Sequence, residues 1–387
     1  MESQRVVSSL VCKKELTVCI SNDGEVYSFG RHCFGAHGHD TNVVLTPTRI
    51  PSLSKIVSIA CGSNNTVCLN DSGVVFTLGS NRYGQLGIGV NHLLLLHSST
   101  PQKLNLPPIK QVSCGDTFIA CVTTTGDVIT FGNSFYGQLG LGDNEDCYLP
   151  QKIESLKNVD FLECGYAFTI CKTTNNEIYS WGLNEFGQLG INNNENQNTP
   201  ILCTQYPNNI VDIKCGLDHT IVLTSNQKVY SCGKSGYIGR KTRNPLSKKY
   251  SPNMKKISEL SEIIRIECGD DKTFCIDVNH DVFVFGYYFL RNFKLADKKN
   301  RRKPVKMSSL KNIVDISKGG VHTFVKTSVN EIYAFGINNF AQLGIEKDKN
   351  HHVTPIQVLK GNEDIWNSKQ ITESFLKKWK AKSARKR

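Results

Sequence analysis

Seven times along this chain a glycine that closes a Phe-Gly or equivalent pair stands 18 residues after a fixed position. The glycines are Gly30, Gly79, Gly132, Gly182, Gly233, Gly286 and Gly336; the fixed position holds Cys12, Cys61, Cys114, Cys164, Cys215, Cys268 and finally Lys318. From one repeat to the next the glycines step by 49, 53, 50, 51, 53 and 50 residues, so the spacing between units varies while the 18-residue interval never does. Segments such as "CGSNNTVCLNDSGVVFTLG" and "CGLDHTIVLTSNQKVYSCG" read as an alternating apolar strand, a polar turn and a second alternating strand. That is a β-hairpin, its turn centred on Gly24, Gly73 or Gly126 and, in later copies, on Asn, Gln or His. A constant length is what two core-facing strands demand, because a one-residue slip turns every side chain to the wrong face.

The variable stretch after each hairpin holds Gly-Gln-Leu-Gly or a relic of it, a loop, and a proline: Pro47, Pro101, Pro150, Pro200, Pro252, Pro304 or Pro355. A short apolar strand follows each proline, where the missing N–H costs no ladder bond. Four strands per repeat make a blade, and seven repeats predict an all-β seven-bladed β-propeller of about 50-residue four-stranded blades. The first hairpin has no proline strand before it, and "TPIQVLKG" at 354–361 is a proline strand with no hairpin after it. The expectation is a first blade closed by both chain termini, hiding open edges. The propeller is placed at 1–361; residues 362–387 form a basic tail in which Ile371, Phe375 and Trp379 are spaced for an amphipathic helix.

The near-copies "SNRYGQLGIG", "NSFYGQLGLG", "LNEFGQLGIN" and "INNFAQLGIE" are structural turns on this reading. Glycine supplies positive φ, Leu packs inward and Gln satisfies backbone groups. A phosphate cradle would need a strand-loop-helix context and usually a Lys-Ser/Thr, and neither is present.

The whole pattern resembles the regulator of chromosome condensation repeat family over roughly residues 6–361. The resemblance implies a seven-bladed propeller in a family whose members include the exchange factor for the nuclear-transport GTPase and many propellers that only bind partners. In the exchange-factor branch an Asp and a His in the loops contact the GTPase; the matching residues are Asp218 and His219 in "CGLDHT", with His322 in "KGGVHTF". The chain departs from the family pattern in blades five and six and at Lys318.

Eleven of the fifteen cysteines fall at the fixed position or seven residues later, where small buried residues are needed, and no Cys-x-x-Cys occurs. Reduced thiols are expected, since the count is odd and no export signal is visible. Blade one replaces Gly-Gln-Leu-Gly with "RHCFGAHGHD", placing His32, Cys33, His37 and His39 in one loop, with His351 and His352 in the last blade's loop. A transition-metal site is the alternative to plain solvated histidines there. The expectation is no metal and no cofactor.

The 22-residue stretch from Gly79 to Pro101 carries Leu93, Leu94, Leu95 and Leu96 in a row, an exposed contact patch or a tucked loop. Charge is unevenly spread. Residues 234–256 hold eight bases and no acid, 291–306 eight bases and one Asp, and 377–387 seven bases and no acid. Together they carry 23 of the 46 bases, leaving 23 bases against 33 acids elsewhere. The two loops are expected to adjoin as a basic patch of Arg240, Lys241, Arg243, Lys248, Lys249, Lys298, Lys299, Arg301, Arg302 and Lys303, with Tyr237, Tyr250 and Phe293 available to stack.

No catalytic triad, paired-carboxylate motif or metal signature is present. The function expected is regulation of a small GTPase as a guanine nucleotide exchange factor, which makes no bond. The alternatives are a protein-interaction scaffold, or a binder of chromatin, nucleic acid or an acidic protein through the basic patch. With no apolar run long enough to span a membrane and no signal-peptide pattern, a monomer in the cytoplasm or nucleus is expected.

Overall fold

The computed structural model describes residues 7–89, 95–241, 250–286, 302–345 and 351–359. It contains seven four-stranded antiparallel sheets, each built from four consecutive strands. The strands β1 to β28 run in chain order, four to a blade, from β1 (Val7–Lys13) to β28 (His352–Leu359). Blade two shows the plan: β5 (Ile56–Cys61), β6 (Asn65–Asn70), β7 (Val75–Ser80) and β8 (His97–Lys103). The first strands surround a central channel. The second strands are the most buried, as in β10 (Phe118–Thr123) and β18 (His219–Thr224), where every residue is buried. The fourth strands, proline-bearing in every blade but the sixth, where β24 is only Val305–Lys306, are the outer rim.

The hairpin turns in later copies keep a left-handed backbone without glycine: Asn176, Gln227, His280 and Asn330 all have φ of 60–63°. The Gly-Gln-Leu-Gly turn is built as its composition requires. In blades two, three, four and seven the Gln Oε1 accepts the backbone N–H two residues earlier, from Tyr83, Tyr136, Phe186 and Phe340, at 2.8–3.0 Å. The Leu is fully buried in each case, and its carbonyl accepts a hydroxyl of the same blade from Thr77, Thr130 and Ser180 in blades two to four. The last glycine lies under an aromatic ring of the next blade, Gly87 against Phe131 and Gly140 against Trp181.

The closure differs from the expectation. Each proline strand pairs with the hairpin before it: β8 runs beside β7 with Thr77 opposite Gln102, and β28 completes the last blade beside β27 (Ile332–Gly336), with Ala334 opposite Ile356. The first blade is complete within Val7–Arg49, so no strand is shared between the termini. The physical reason is that no sheet continues from one blade into the next. A threonine on the second strand donates to a loop carbonyl of the preceding blade: Thr66 to Ala36, Thr169 to Gln138, Thr220 to Gln188. The seam between last and first blade uses the same bond, Thr17 to the Gln342 carbonyl at 2.8 Å, with Phe29, Phe324, Leu343 and Cys12 in one apolar cluster across it.

One glycine pair separates the causes of turn rigidity. A Cβ on Gly132 (φ 109°) would sit 2.7–2.8 Å from Thr117 O and Phe118 Cα, whereas one on Gly142 (φ 99°) would meet nothing closer than 3.8 Å. Gly132→Ala is expected to cost about 3 kcal/mol and Gly142→Ala about 1 kcal/mol, as read from urea unfolding midpoints.

Candidate functional site: the channel and the loop face

Antiparallel succession puts the first-to-second and third-to-fourth connections of every blade at one end of the ring, forming a loop face around one mouth of the channel. The loops are tied tip to tip by backbone bonds: Ser63 N–H to Asp116 O, Asp116 N–H to Tyr166 O, Tyr166 N–H to Gly216 O, Leu217 N–H to Asp270 O.

Below that mouth is a cavity of about 240 Å³ whose walls differ by side. Blades one to three present Val11, Ala60 and Ser113, and blades four to seven Glu163, Lys214, Glu267 and Lys318, with the Lys13–Asp270 ion pair also in the lining. Glu267 lies 3.1 Å from Lys318 and 4.0 Å from Lys214. Lys318, which interrupts the cysteine repeat, thus serves as a counter-ion in the channel. Burial pushes the Glu163 carboxyl up to about 7 although Lys214 acts against it. Burial likewise pushes the thiols of Cys12, Cys61, Cys164 and Cys268 to about 12, leaving them unreactive. All fifteen cysteines are free thiols.

His219 and His322 are not surface groups. Both are buried on second strands, where the ring fills the space over the preceding glycine, Gly216 or Gly319. The Nε2 of His219 joins the Thr273 hydroxyl at 3.0 Å and that of His322 joins Thr17 at 2.8 Å, so both tie adjacent blades. Burial lowers each to about 3. Asp218 does reach the loop face, ion-paired to Lys234 at 2.8 Å.

Arg240 is also internal: its guanidinium, 9% exposed, donates to the Ser231 hydroxyl and carbonyl, the Ser251 hydroxyl and the Asn253 carbonyl. Blade five has not lost its turn, because Ile238 and Gly239 take the Leu-Gly places; Ser231 donates to the Ile238 carbonyl and Gly239 lies under Phe285. Tyr237 is buried and Tyr250 half-buried. Lys241 and Arg302 are exposed, and Lys303 pairs with Glu259 at 2.8 Å. Arg243, Lys248, Lys249, Phe293, Lys298, Lys299, Arg301 and the tail lie outside the described residues, as do Leu93 and Leu94. Leu95 is half-buried and Leu96 is 57% exposed.

In blade one, Ala36 and His37 occupy the Gln-Leu places, and the Ser28 hydroxyl donates to the His37 carbonyl. His32 donates through Nε2 to the Ser63 carbonyl at 3.1 Å and accepts the Phe34 N–H at Nδ1, and burial lowers it to about 4. Among the described residues no three His, Cys, Asp or Glu are grouped to hold a metal ion, and no helix is long and apolar enough to cross a membrane.

With the fold and the loop face described, the comparisons define the class. The profile of the RCC1-like domain matches residues 1–202 and that of the regulator of chromosome condensation (RCC1) repeat matches 210–237. The chain belongs to this family. It is 28% identical over 356 residues to the ultraviolet-B receptor UVR8 of Arabidopsis thaliana, covering 91% of this chain and 58% of the receptor. It is 26% identical to the serine/threonine-protein kinase Nek9 of Mus musculus, covering 63% of this chain and 21% of the kinase. The chain therefore spans little more than half, or less, of these relatives. Among solved structures it superposes on human WBSCR16 (TM-score 0.75, 20% identity, 87% and 94% of the two chains). Prp20p of Saccharomyces cerevisiae, characterised for its binding to Gsp1p and histones, gives a TM-score of 0.74 at 18% identity, over 88% and 87% of the two chains.

Two pH effects follow. His32, His219 and His322 are held neutral when folded, while the unfolded chain protonates them below their usual 6.5. Stability should therefore fall as pH drops from 6.5 towards 4, each contributing up to about 1.4 kcal/mol per pH unit in denaturant midpoints. Glu163 acts with the opposite sign, its raised pKa costing stability as pH rises from 4.5 through 7. Glu163→Gln is expected to leave stability at pH 5 unchanged and to raise it at pH 8 by on the order of 1–3 kcal/mol.

Proposed function

We propose that the protein works by non-covalent partner binding on the loop face and that the partner is a small GTPase whose nucleotide exchange it promotes. The observation that carries this reading is the loop face itself. The ring presents Phe135 at 69% exposure, Tyr166 at 38% and the half-buried carboxylates Asp116 and Asp218 around one mouth, while the second-strand histidines His219 and His322 are committed to the core. Exchange requires only that such a face bind the nucleotide-free GTPase better than the loaded one, so that nucleotide leaves by linkage. The family resemblance and the fold shared with Prp20p support the choice of partner.

The charge distribution favours a second reading, an anionic partner held beside blades five and six, where Lys241 and Arg302 are exposed. Release of labelled GDP from a panel of small GTPases tests the first reading. Acceleration of on the order of 10-fold for one member, with tightest binding in its nucleotide-free state, is the expected result. No acceleration from any member, together with nucleic-acid affinity that falls steeply with salt, would replace it with the second reading.

A further inference from the structure

Antiparallel succession also defines the face opposite the loop face. First strands enter there, second-to-third turns close there and fourth strands leave there. Near its start each first strand has a bulge that leaves one residue without a cross-strand partner. In blade order these are Ser8, Val57, Lys110, Asp160, Val211, Ile264 and Val314. A bulge re-aims its extra side chain, so the ring does not dictate what stands there. Blades three and four use the position for an ion pair, Lys110 to Asp160 at 3.9 Å. Blades five, six and seven carry Val211, Ile264 and Val314 in succession.

Two turn positions depart from the repeat in the same sector. Val278 and Val329 stand where every other blade has Ser, Thr, Asn or Asp. Val211, Ile264, Val278 and Val329 are 40–65% exposed, and Val314 is half-buried. Backbone bonds join the three blades into one surface: Ile263 N–H to the Gln227 carbonyl at 3.2 Å and Ile313 N–H to the His280 carbonyl at 3.3 Å. Arg265 and Asp315, the residues after Ile264 and Val314, pair across the boundary at 2.6 Å. Val278 N–H donates to the carbonyl of Glu262, two residues before Ile264. Acids frame this apolar arc. The turns 21–25, 70–74, 123–127, 173–177, 224–228, 277–281 and 327–331 hold eight Asp or Glu and one Lys. Glu25 and Asp281 are paired with Arg49 and Lys306, whereas Glu262 is exposed and makes no ion pair among the described residues.

The chain carries a matching occupant. Leu359, the last residue of β28, lies opposite Ile332, three residues after Val329, so the backbone leaves the ring on this face. Residues 360–387 follow, outside the described residues; from 369 onward they hold eight bases and one acid, with Ile371, Phe375 and Trp379 spaced four apart. Ile371 stands 12 residues after Leu359, a reach of up to about 40 Å. The three strand spacings from β28 to the inner edge of its blade come to about 14 Å. We propose that this C-terminal segment docks on the arc, with Ile371, Phe375 and Trp379 against Val211, Ile264, Val278, Val314 and Val329 and its bases toward the acidic turns. Burial of apolar surface holds it, and opposite charge orients it. The loop face is left open, so the inference does not rest on the exchange reading.

Fluorescence anisotropy of a fluorescein-labelled peptide of residues 367–387, titrated with the full chain, tests this. In the unmodified chain the tethered segment competes at an effective concentration near millimolar. It is expected to bind the peptide at least about 10-fold more weakly than Ile371→Asp/Phe375→Asp/Trp379→Asp, which vacates the site. Adding Ile264→Ser, Val278→Ser and Val329→Asn to that variant installs residues that other copies of these positions carry. Binding should then weaken by about 10-fold while the thermal midpoint stays that of a folded protein. A scrambled peptide of the same composition, which measures charge alone, should bind more weakly than the true one. No binding to the vacated variant, equal binding to the unmodified chain, equal binding of the scrambled peptide, or no loss with the three arc substitutions would each overturn the assignment. No GTPase enters this titration, so it stands or fails apart from the nucleotide-release assay.

Discussion

Four of the seven blade boundaries, the one between last and first blade among them, depend on the same hydrogen bond: a threonine hydroxyl of a second strand given to a loop carbonyl of the blade before. No sheet runs from one blade into the next, so cohesion between blades comes from side chains and from backbone bonds between loops. The threonine bond needs its acceptor in one place, and the acceptor sits in the Gly-Gln-Leu-Gly turn or its blade-one equivalent. That turn is in turn fixed by its own glutamine and by a buried leucine. At those four boundaries the hairpin and the turn are two halves of the same joint, donor and acceptor.

Variation is channelled to places the joint does not use. The position before each fixed residue tolerates Val, Ala, Ser, Glu or Lys; three consecutive blades carry Glu163, Lys214 and Glu267 there, and Lys318 follows at the fixed position of blade seven. The residue after each closing glycine also varies freely, and two of the seven copies have become cations resting on the neighbouring blade's aromatic ring. Function is readable where these free positions depart from one another.

Strands, blades and the turn chemistry were legible in the sequence because each is periodic and each has a steric cause. Closure was misread because the proline strand lies between two hairpins in sequence, and nothing local says which of them it pairs with. His219 and His322 were misread for a related reason: a loop motif names residue types, while alternation along the strand decides that these rings face the next blade. Arg240 looked like part of a basic run, yet its guanidinium replaces the missing half of a turn by holding Ser231, Ser251 and Asn253.

Six of the seven blade boundaries are crossed by the backbone, and the boundary at Thr17 and Gln342 is not. Its contacts are the same in kind as the others, so the protein is a bracelet whose clasp is as well made as its links but is the one joint without a thread. Pulled or warmed, such a ring opens there first. A circular permutant joining residue 359 to residue 7 through a linker, and cut between two other blades, would carry the clasp to a new boundary while leaving every sheet intact.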